Sequence, residues 1–549
     1  MKKITELNQK AKQLIESGDL VAAGNNLKKS LQININQPNV IVNYASILKE
    51  RKNYKEAIKY FKLLVKITDP SAEIYFNIAL LYGEQGHYDE ALKFYLQAYN
   101  LKPEQLEIIH NIANAYSRLE KYDQAIAYYK KSIALNPQSI DSLNNLAINL
   151  MKIQNFDEAI HYCKLAIKAN PSVAASYNNI GNIYKEINEF KHAIRSYNEA
   201  VALDPNQAEF FYNLANTYQE LLDFKNTELF LDKALDINNH YYPALWNKAL
   251  TNLLLGNFSV GWELYECRWL DQQRHKQKKL TSSLWLGEEP LTNQSIIVTS
   301  EQGFGDAIQM YRYFPLLAQH AEKVFIETDD ALMPLFSSLQ NNLSFITKGG
   351  KLPVTDYHIP LMSLPFAFKT EVSTILNTVP YIFGNKSSYN PFFIKPSNRS
   401  LKIGLVWAGS KTHKEDHLRS IDCRLLEPIF KLPIEIHSLQ KIINTDEQNI
   451  LGSYKNIHQH SKNLRNFLDT ACFIDQMDIV ISVDTAVAHL AGAMSKEVWL
   501  MLPFIPDFRW LLERNDSPWY PTIRLYRQSE KRDWVEVIDS IVANLKKRL

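Results

Sequence analysis

Tyr88 to Pro137 reads YDEALKFYLQAYNLKPEQLEIIHNIANAYSRLEKYDQAIAYYKKSIALNP. Within it Tyr88-Asp89-Glu90-Ala91 returns as Tyr122-Asp123-Gln124-Ala125, and Pro103 returns as Pro137, each 34 residues on. The step extends outward in both directions. Ala57, Ala91, Ala125, Ala159 and Ala193 keep it, and Thr227 continues it. Ala45, Ala79, Ala113, Ala147, Gly181, Ala215 and Ala249 form a second series, and Tyr54, Tyr88, Tyr122, Phe156, Phe190, Phe224 and Phe258 a third. Pro103, Pro137, Pro171 and Pro205 close successive units. Small residues at one point on each helix of a hairpin let the two helices approach closely. Proline stops the second helix, because it lacks an N–H and clashes with the preceding turn. One hairpin cannot bury its own apolar face, but a stack can.

This period and pattern resemble the tetratricopeptide repeat. About seven hairpins are expected over 1–254, an all-α solenoid, with a degenerate first unit near Leu7 to Gln37 as its cap. A fourth series, Asn43, Asn77, Asn111, Asn145, Asn179, Asn213 and Asn247, shares the step. In this repeat family the first helix of each hairpin, which carries these residues, lines the concave face. A carboxamide offers both a donor and an acceptor, so it can pair with the backbone of an extended peptide without reading its sequence. The row is similar to the asparagine ladder of the nucleocytoplasmic O-linked N-acetylglucosamine transferase. The same Asn also suits an ordinary repeat, where it satisfies neighbouring backbone groups. Both readings stand at this point.

The whole chain of 549 residues is too long for one core. With 61 basic and 59 acidic side chains, nothing in the charge balance points to nucleic acid. The start, MKKITELNQKAKQ, carries no apolar stretch and does not read as a secretory signal. No run reaches the roughly 20 apolar residues needed to cross a membrane. Cys163, Cys267, Cys423 and Cys472 are isolated, without disulfide-framework or zinc-ligand spacing. A cytoplasmic protein is expected.

After Leu254 the helical period fails, and 255–294 reads as a junction. From Ser295 the pattern becomes strand, loop, helix. Strands are expected at Ile296–Thr299, Val324–Glu327, Leu343–Ile346 and Tyr357–Leu361, with a helix over Asp306–Gln319. A second set follows at Leu401–Trp407, Glu435–Leu439, Ile479–Ser482 and Val498–Leu502. Alternating strands and helices in two blocks predict two doubly wound α/β lobes, 295–395 and 400–549. Ligands of such sheets bind at the C-terminal ends of strands.

Three segments carry chemistry. Ser300–Asp306, SEQGFGD, follows the first strand, and its glycines Gly303 and Gly305 permit close approach of a ligand to backbone N–H groups. Asp306 stands at the mouth of the expected cleft, or serves only as a helix cap. Trp407–Ser420, WAGSKTHKEDHLRS, brings Ser410, Lys411, Lys414 and Arg419, groups suited to phosphate. Its plain alternative is a solvated loop. Asp478–Met494, DIVISVDTAVAHLAGAM, runs a buried strand into Asp484-Thr485 and a small-residue helix, whose N-terminus favours an anion. Thr485 and His489 share a helix face. A lone His on such a helix also serves as a structural group.

Together these segments resemble glycosyltransferase family 9, the heptosyltransferase-like group with the GT-B fold of two Rossmann-like lobes, from Ser295 onward. DTAVAHLAGA resembles the family's donor-holding motif, with Ala486 where Gly is usual, and GFGD resembles the loop whose Asp is proposed as general base. The segments GWELYECRW, EQGFGDAIQMYRY, HSLQK and DSPWYP resemble a bacterial subgroup in which tetratricopeptide repeats precede such a domain. The resemblance implies a nucleotide-diphosphate sugar as donor, an inverting transfer to an acceptor hydroxyl, no cofactor and no metal. It implies Asp306 as base and Ser410, Lys411 or Lys414, Arg419, Gln440, Asp484, Thr485 and His489 around the donor. Gln302, Gly303, Gly305, Gln309 and Arg312 fall on the acceptor side, and Asn77, Asn111, Asn145, Asn179, Asn213 and Asn247 in a peptide groove. Three readings remain: a transferase acting on a protein or peptide held by the repeats, a transferase acting on a saccharide or lipid-linked glycan, and a non-catalytic scaffold.

Overall fold

The structure is a computed structural model that describes residues 2–69, 71–271, 278, 280–301, 303–337, 343–384, 392, 394, 400–411 and 416–549. The chain divides into two compact units, Met1–Ile237 and Asn238–Leu549.

The first unit is all helical. Helices pack in consecutive pairs, as Ala72–Glu84 does with Tyr88–Leu101, and Leu106–Arg118 with Tyr122–Leu135. The small-residue series are buried as their spacing requires: Ala57, Ala91, Ala125, Ala159, Ala193 and Thr227 are fully covered, as are Ala45, Ala79, Ala113, Ala147 and Ala215. The aromatic series marks the first residue of each second helix, at Tyr54, Tyr88, Tyr122, Phe156, Phe190 and Phe224. These rings are half-buried. The deeper packing comes from a series that the sequence reading did not isolate: Phe61, Tyr95, Tyr129, Cys163, Tyr197 and Leu231 are all buried, again at steps of 34.

Each first helix stops in the same way. Gly18, Lys52, Gly86, Glu120, Gln154, Asn188 and Leu222 all have positive φ, and they too are 34 apart. The next residue's N–H bonds back five residues, as in Asn53 to Leu48, Lys121 to Tyr116 and Asp223 to Tyr218. This is the Schellman arrangement, which consumes carbonyls left over at a helix end. It favours glycine, because a side chain clashes in the left-handed region. Only two of these seven turns use glycine, so the fold imposes the conformation on the rest.

The second unit opens with one more helical pair, Tyr242–Leu254 and Phe258–Tyr265, and then builds two sheets. The strands are β1 (Ser283–Leu284), β2 (Ser295–Thr299), β3 (Lys323–Thr328), β4 (Leu343–Thr347), β5 (Tyr357–Pro360), β6 (Lys402–Val406), β7 (Glu435–Ser438), β8 (Ile457–Gln459), β9 (Ile479–Val483), β10 (Glu497–Leu502) and β11 (Ile523–Arg527). The first sheet has the order β1-β5-β2-β3-β4 and the second β11-β10-β9-β6-β7-β8, every pairing being parallel. The eight strands expected from sequence are all present. β1, β8 and β11 are additional, and β1 turns part of the expected junction into an edge strand. The helix expected over Asp306–Gln319 is broken into Phe304–Met310, a 3-10 turn at Tyr311–Tyr313, and Phe314–His320, with Pro315 opening the last piece.

In each sheet the strand order reverses direction once, between β2 and β5 and between β6 and β9. These reversal points open a crevice outside the carboxyl ends of the strands. The core of the second sheet is mainly apolar: every residue of β9 is buried, and Trp407, Trp499 and Phe430 belong to the same cluster. The unit's leading helices are tied to the first sheet by a buried cation. Arg268 is fully covered and binds Glu301 at 2.8 Å, Glu266 at 2.7 Å and Ser363 at 2.7 Å. Among the described residues, no helix is long and apolar enough to cross a membrane.

Candidate functional site

The three chemical segments sit at the two reversal points. The loop after β2 leads into the helix Phe304–Met310, which carries Gly305, Asp306 and Gln309. The loop after β6 carries Ser410 and Lys411, both exposed. The loop after β9 carries Asp484 and Thr485 and enters the helix Ala486–Ala493 with His489.

The helix from the first sheet packs directly on the helix from the second. Glycine makes this possible at one point: a Cβ on Gly305 would lie 3.0 Å from His489 Cδ2 and 3.6 Å from Ala486 Cα. Asp306 accepts from the Gly303 N–H at 2.9 Å and pairs with Arg509, whose Nη2 lies 2.5 Å from Oδ1. Arg509 also donates to Gln309 Oε1 at 2.7 Å and to Asp507 Oδ1 at 2.8 Å. Burial opposes its charge, but Asp507 and Asp306 outweigh burial, and its pKa is raised.

Asp484 accepts from Trp510 Nε1 at 2.9 Å, and its backbone carbonyl accepts from Arg419 at 2.9 Å. Burial pushes the Asp484 carboxyl up to about 6, with Asp507 adding to the shift. His489 Nε2 stands 3.7 Å from Asp484 Oδ1, and Nδ1 meets the Tyr520 hydroxyl at 2.9 Å. Burial first, then Arg509, Arg312 and Arg419, hold this imidazole well below its ordinary range. It is therefore neutral at pH 7, and Tyr520 and Trp510 fix its plane. Thr485 meets the Ser482 hydroxyl at 3.1 Å.

Several residues read as ligand contacts are engaged by the protein instead. Arg312 is buried and donates to the carbonyls of Gln309, Leu376 and Trp519 and to the Tyr381 hydroxyl. Its guanidinium braces the two sheets' loops, and four of its five N–H groups are spoken for. Gln440, read as a nucleotide contact, accepts from the N–H groups of Trp407 and Ala408 and donates to the Ala408 carbonyl. It holds the β6 loop in shape. Arg419 pairs with Asp416 at 3.2 Å as well as with the Asp484 carbonyl, so it joins two loops of the second sheet. Gln302 and Lys414 lie outside the described residues. Arg509, Asp507, Trp510 and Tyr520 were missed by sequence reasoning. The signal for the first three was the run Asp507-Phe-Arg-Trp510 just past β10, a charged pair set among aromatics beyond a buried strand, and Tyr520 lay within the segment DSPWYP without being given a role.

In the first unit the asparagine series is not uniform. Asn43 is exposed, while Asn77, Asn111, Asn145 and Asn179 are half-buried. Asn77 and Asn111 bond only to carbonyls one turn back on their own helix, at 2.9 and 2.8 Å. Asn213 is buried and donates to Asn178 at 2.8 Å. Asn247, in the second unit, is buried and accepts from Thr251 at 3.0 Å. A cavity of about 430 Å³ lies between the first two hairpins, lined by Asn8, Lys12, Gln37 and Asn43 among others.

Models of the tetratricopeptide repeat family match residues 36–104, 107–139, 140–173 and 181–221. No curated protein matches the chain. Among solved structures, a tetratricopeptide repeat protein from Parabacteroides merdae is 20% identical over 49% of this chain and 99% of its own, with a TM-score of 0.39. YrrB, described as a TPR protein with an unusual peptide-binding site, is 24% identical over 35% of this chain and 98% of its own, with a TM-score of 0.28. A thermophilic TPR protein from Thermus thermophilus is 20% identical over 33% of this chain and 100% of its own, with a TM-score of 0.31. The repeat assignment rests on the family models and on the chain's own geometry: tetratricopeptide repeats are present in the N-terminal half, and a region of parallel sheets follows them.

Proposed function

We propose that the second unit is a GT-B-type glycosyltransferase resembling family 9, which moves a sugar from a nucleotide-diphosphate donor to an acceptor hydroxyl. The observation that supports this reading most is the packing of the helix that carries Asp306 on the helix that carries His489, with Arg509 from the loop after β10 holding the Asp306 carboxylate, at the reversal points of both sheets. In the proposed reaction the acceptor oxygen bonds to the anomeric carbon as the bond from that carbon to the diphosphate breaks. The proton of the hydroxyl passes to Asp306, and the leaving diphosphate takes up negative charge. Attack from the face opposite the leaving group inverts the anomeric centre. Lys411, Ser410 and the start of the helix Ala486–Ala493 are the groups of this chain suited to the diphosphate, and Arg419, held by Asp416 and the Asp484 carbonyl, stands beside them. No metal is assigned a step. Arg509 orients the Asp306 carboxylate, and neutral His489 with Asp484 faces the sugar. The repeats, whose partners are proteins or peptides, would then select a polypeptide acceptor.

A panel of nucleotide-sugars tests this by thermal shift. A donor at 100 times its Kd stabilises the fold by about 2.7 kcal/mol. One donor class should raise Tm, and release of its nucleotide should follow when acceptor is added. No stabilisation by any nucleotide or nucleotide-sugar would sink the proposal. It would favour the scaffold reading, which one observation supports: Arg312, Gln309 and Gln440 already have internal partners.

A further inference from the structure

A group of histidines lies apart from the crevice, on the outer strands of the second sheet. β7 and β8 pair in parallel with His437 opposite His458. Side chains two apart share a face, so Glu435 and His437 on β7 and His458 on β8 point the same way, with His460 just past the end of β8. His437 Nε2 is 3.2 Å from Glu435 Oε1, and His458 Nε2 is 3.5 Å from the same oxygen. One ligand atom from each of these three residues lies within 4.8 Å of the other two.

Two features set this group apart from a hydrogen-bonded cluster. First, the buried Nε2 of His437 has Glu435 Oε1 at 3.2 Å as its neighbour and makes no well-formed hydrogen bond. Second, His437 Nδ1 meets His460 Nε2 at 2.9 Å. With Nδ1 held by His460, Nε2 is the nitrogen that His437 presents to Glu435. An imidazole whose second nitrogen is fixed by a neighbour is the usual arrangement around a bound metal. The separations suit one. Bonds of 2.0–2.2 Å in a tetrahedron place ligand atoms roughly 3.3 Å apart. His458 is 47% exposed on its side chain and leaves an entry path. Lys402 stands opposite Glu435 on β6 and competes for the carboxylate.

The geometry points to a Zn²⁺-class site formed by Glu435, His437 and His458, with His460 as the orienting residue and a water completing the tetrahedron. Borderline divalent ions suit two imidazoles and one carboxylate. The ion would fasten β8, the exposed edge strand, to β7.

The test uses the full chain without a histidine tag. Zn²⁺ is titrated against a chromophoric chelator, and Co²⁺ serves as the spectroscopic probe. The wild type should bind one equivalent, with the intense visible bands of four-coordinate Co²⁺. His460→Ala should weaken binding by about 10–100-fold, and His458→Ala and Glu435→Gln at least as much. His192→Ala, in the repeats, should change nothing. Far-UV circular dichroism checks that each variant is folded; His458 is exposed enough for its loss to be tolerated. Equal affinity in wild type, His458→Ala and Glu435→Gln would overturn the site, as would the weak bands of six-coordinate Co²⁺.

Discussion

Arg509 and Asp306 join the two sheets of the second unit through one ion pair of 2.5 Å, with side chains 8% and 18% exposed. Arg509 holds Asp507 and Gln309 at the same time. Its removal therefore strands buried charge as well as a candidate base. Arg509→Ala should cost about 3–5 kcal/mol in urea unfolding, the usual penalty for breaking a buried pair. Asp306→Asn keeps the shape and an acceptor for the Gly303 N–H, but turns an NH2 donor towards Arg509. It should lower Tm less than Arg509→Ala does, since Asp507 still pairs with Arg509, while lowering sugar transfer about 100-fold or more, read by nucleotide release. Transfer at the wild-type rate would remove Asp306 from the mechanism.

Gly305→Ala places a methyl group 3.0 Å from the His489 ring and close to the Ala486 backbone. Neither neighbour is the free end of a flexible chain. Overpacking of this kind costs about 1–3 kcal/mol, so Tm should fall. Gly86 is a contrast: its Cβ would meet open space, and its strain comes from φ alone.

Asp484 gives a pH signature. Its folded pKa, about 6, lies above the ordinary aspartate value, so the folded state prefers the protonated form. The stability it contributes is present below about pH 4 and is lost as pH rises through 6. The amount is on the order of 3 kcal/mol. Asp484→Asn keeps an acceptor for Trp510 and removes the titration. Unfolding free energies measured from pH 4 to pH 7 should fall less with rising pH in the variant than in the wild type.

The repeat turns offer a stabilising change. Glu120, Gln154 and Leu222 hold positive φ where Gly18 and Gly86 serve elsewhere. Glycine at any of the three relieves a clash worth about 1–2 kcal/mol and returns part of it as chain entropy. Each single change should raise the urea midpoint slightly, and the three together should add.

The asparagine series separates its two readings along its own length. Asn77→Ala and Asn111→Ala remove amides that bond only within their own helix, so stability should hold while capture of a polypeptide acceptor weakens. Asn213→Ala leaves the Asn178 carboxamide buried without its donor. It should cost about 1–3 kcal/mol, seen as a lower Tm whether or not a peptide binds.

The repeats were legible because their packing is periodic: a small residue at a fixed step can mean only one kind of close approach. The strands were legible because a parallel sheet buries both faces and leaves continuous apolar runs such as Ile479–Val483. β8 was not, since His458 and Gln459 are exposed at a sheet edge and carry no apolar signal. The chemical loops were found from glycines and polar groups following strands. Their partners were not. Arg509 lies 203 residues from Asp306 and Trp519 lies 207 from Arg312, and no local pattern encodes a bond across that distance. Gln440 and Arg312 looked like ligand contacts because polar side chains beside a crevice look alike in sequence whether they face outward or brace a loop.

Arg268 fixes where this protein can be cut. A fragment beginning after Leu270 would keep every strand and every loop of the crevice, and it would look like a complete α/β domain. It would also leave Glu301, 8% exposed on its side chain, without its cation. Such a fragment should be poorly soluble, whereas one beginning at Asn238 keeps the pair. The separable part is thus the sheets together with their leading helical pair, and a boundary drawn where helix gives way to strand would fall inside it.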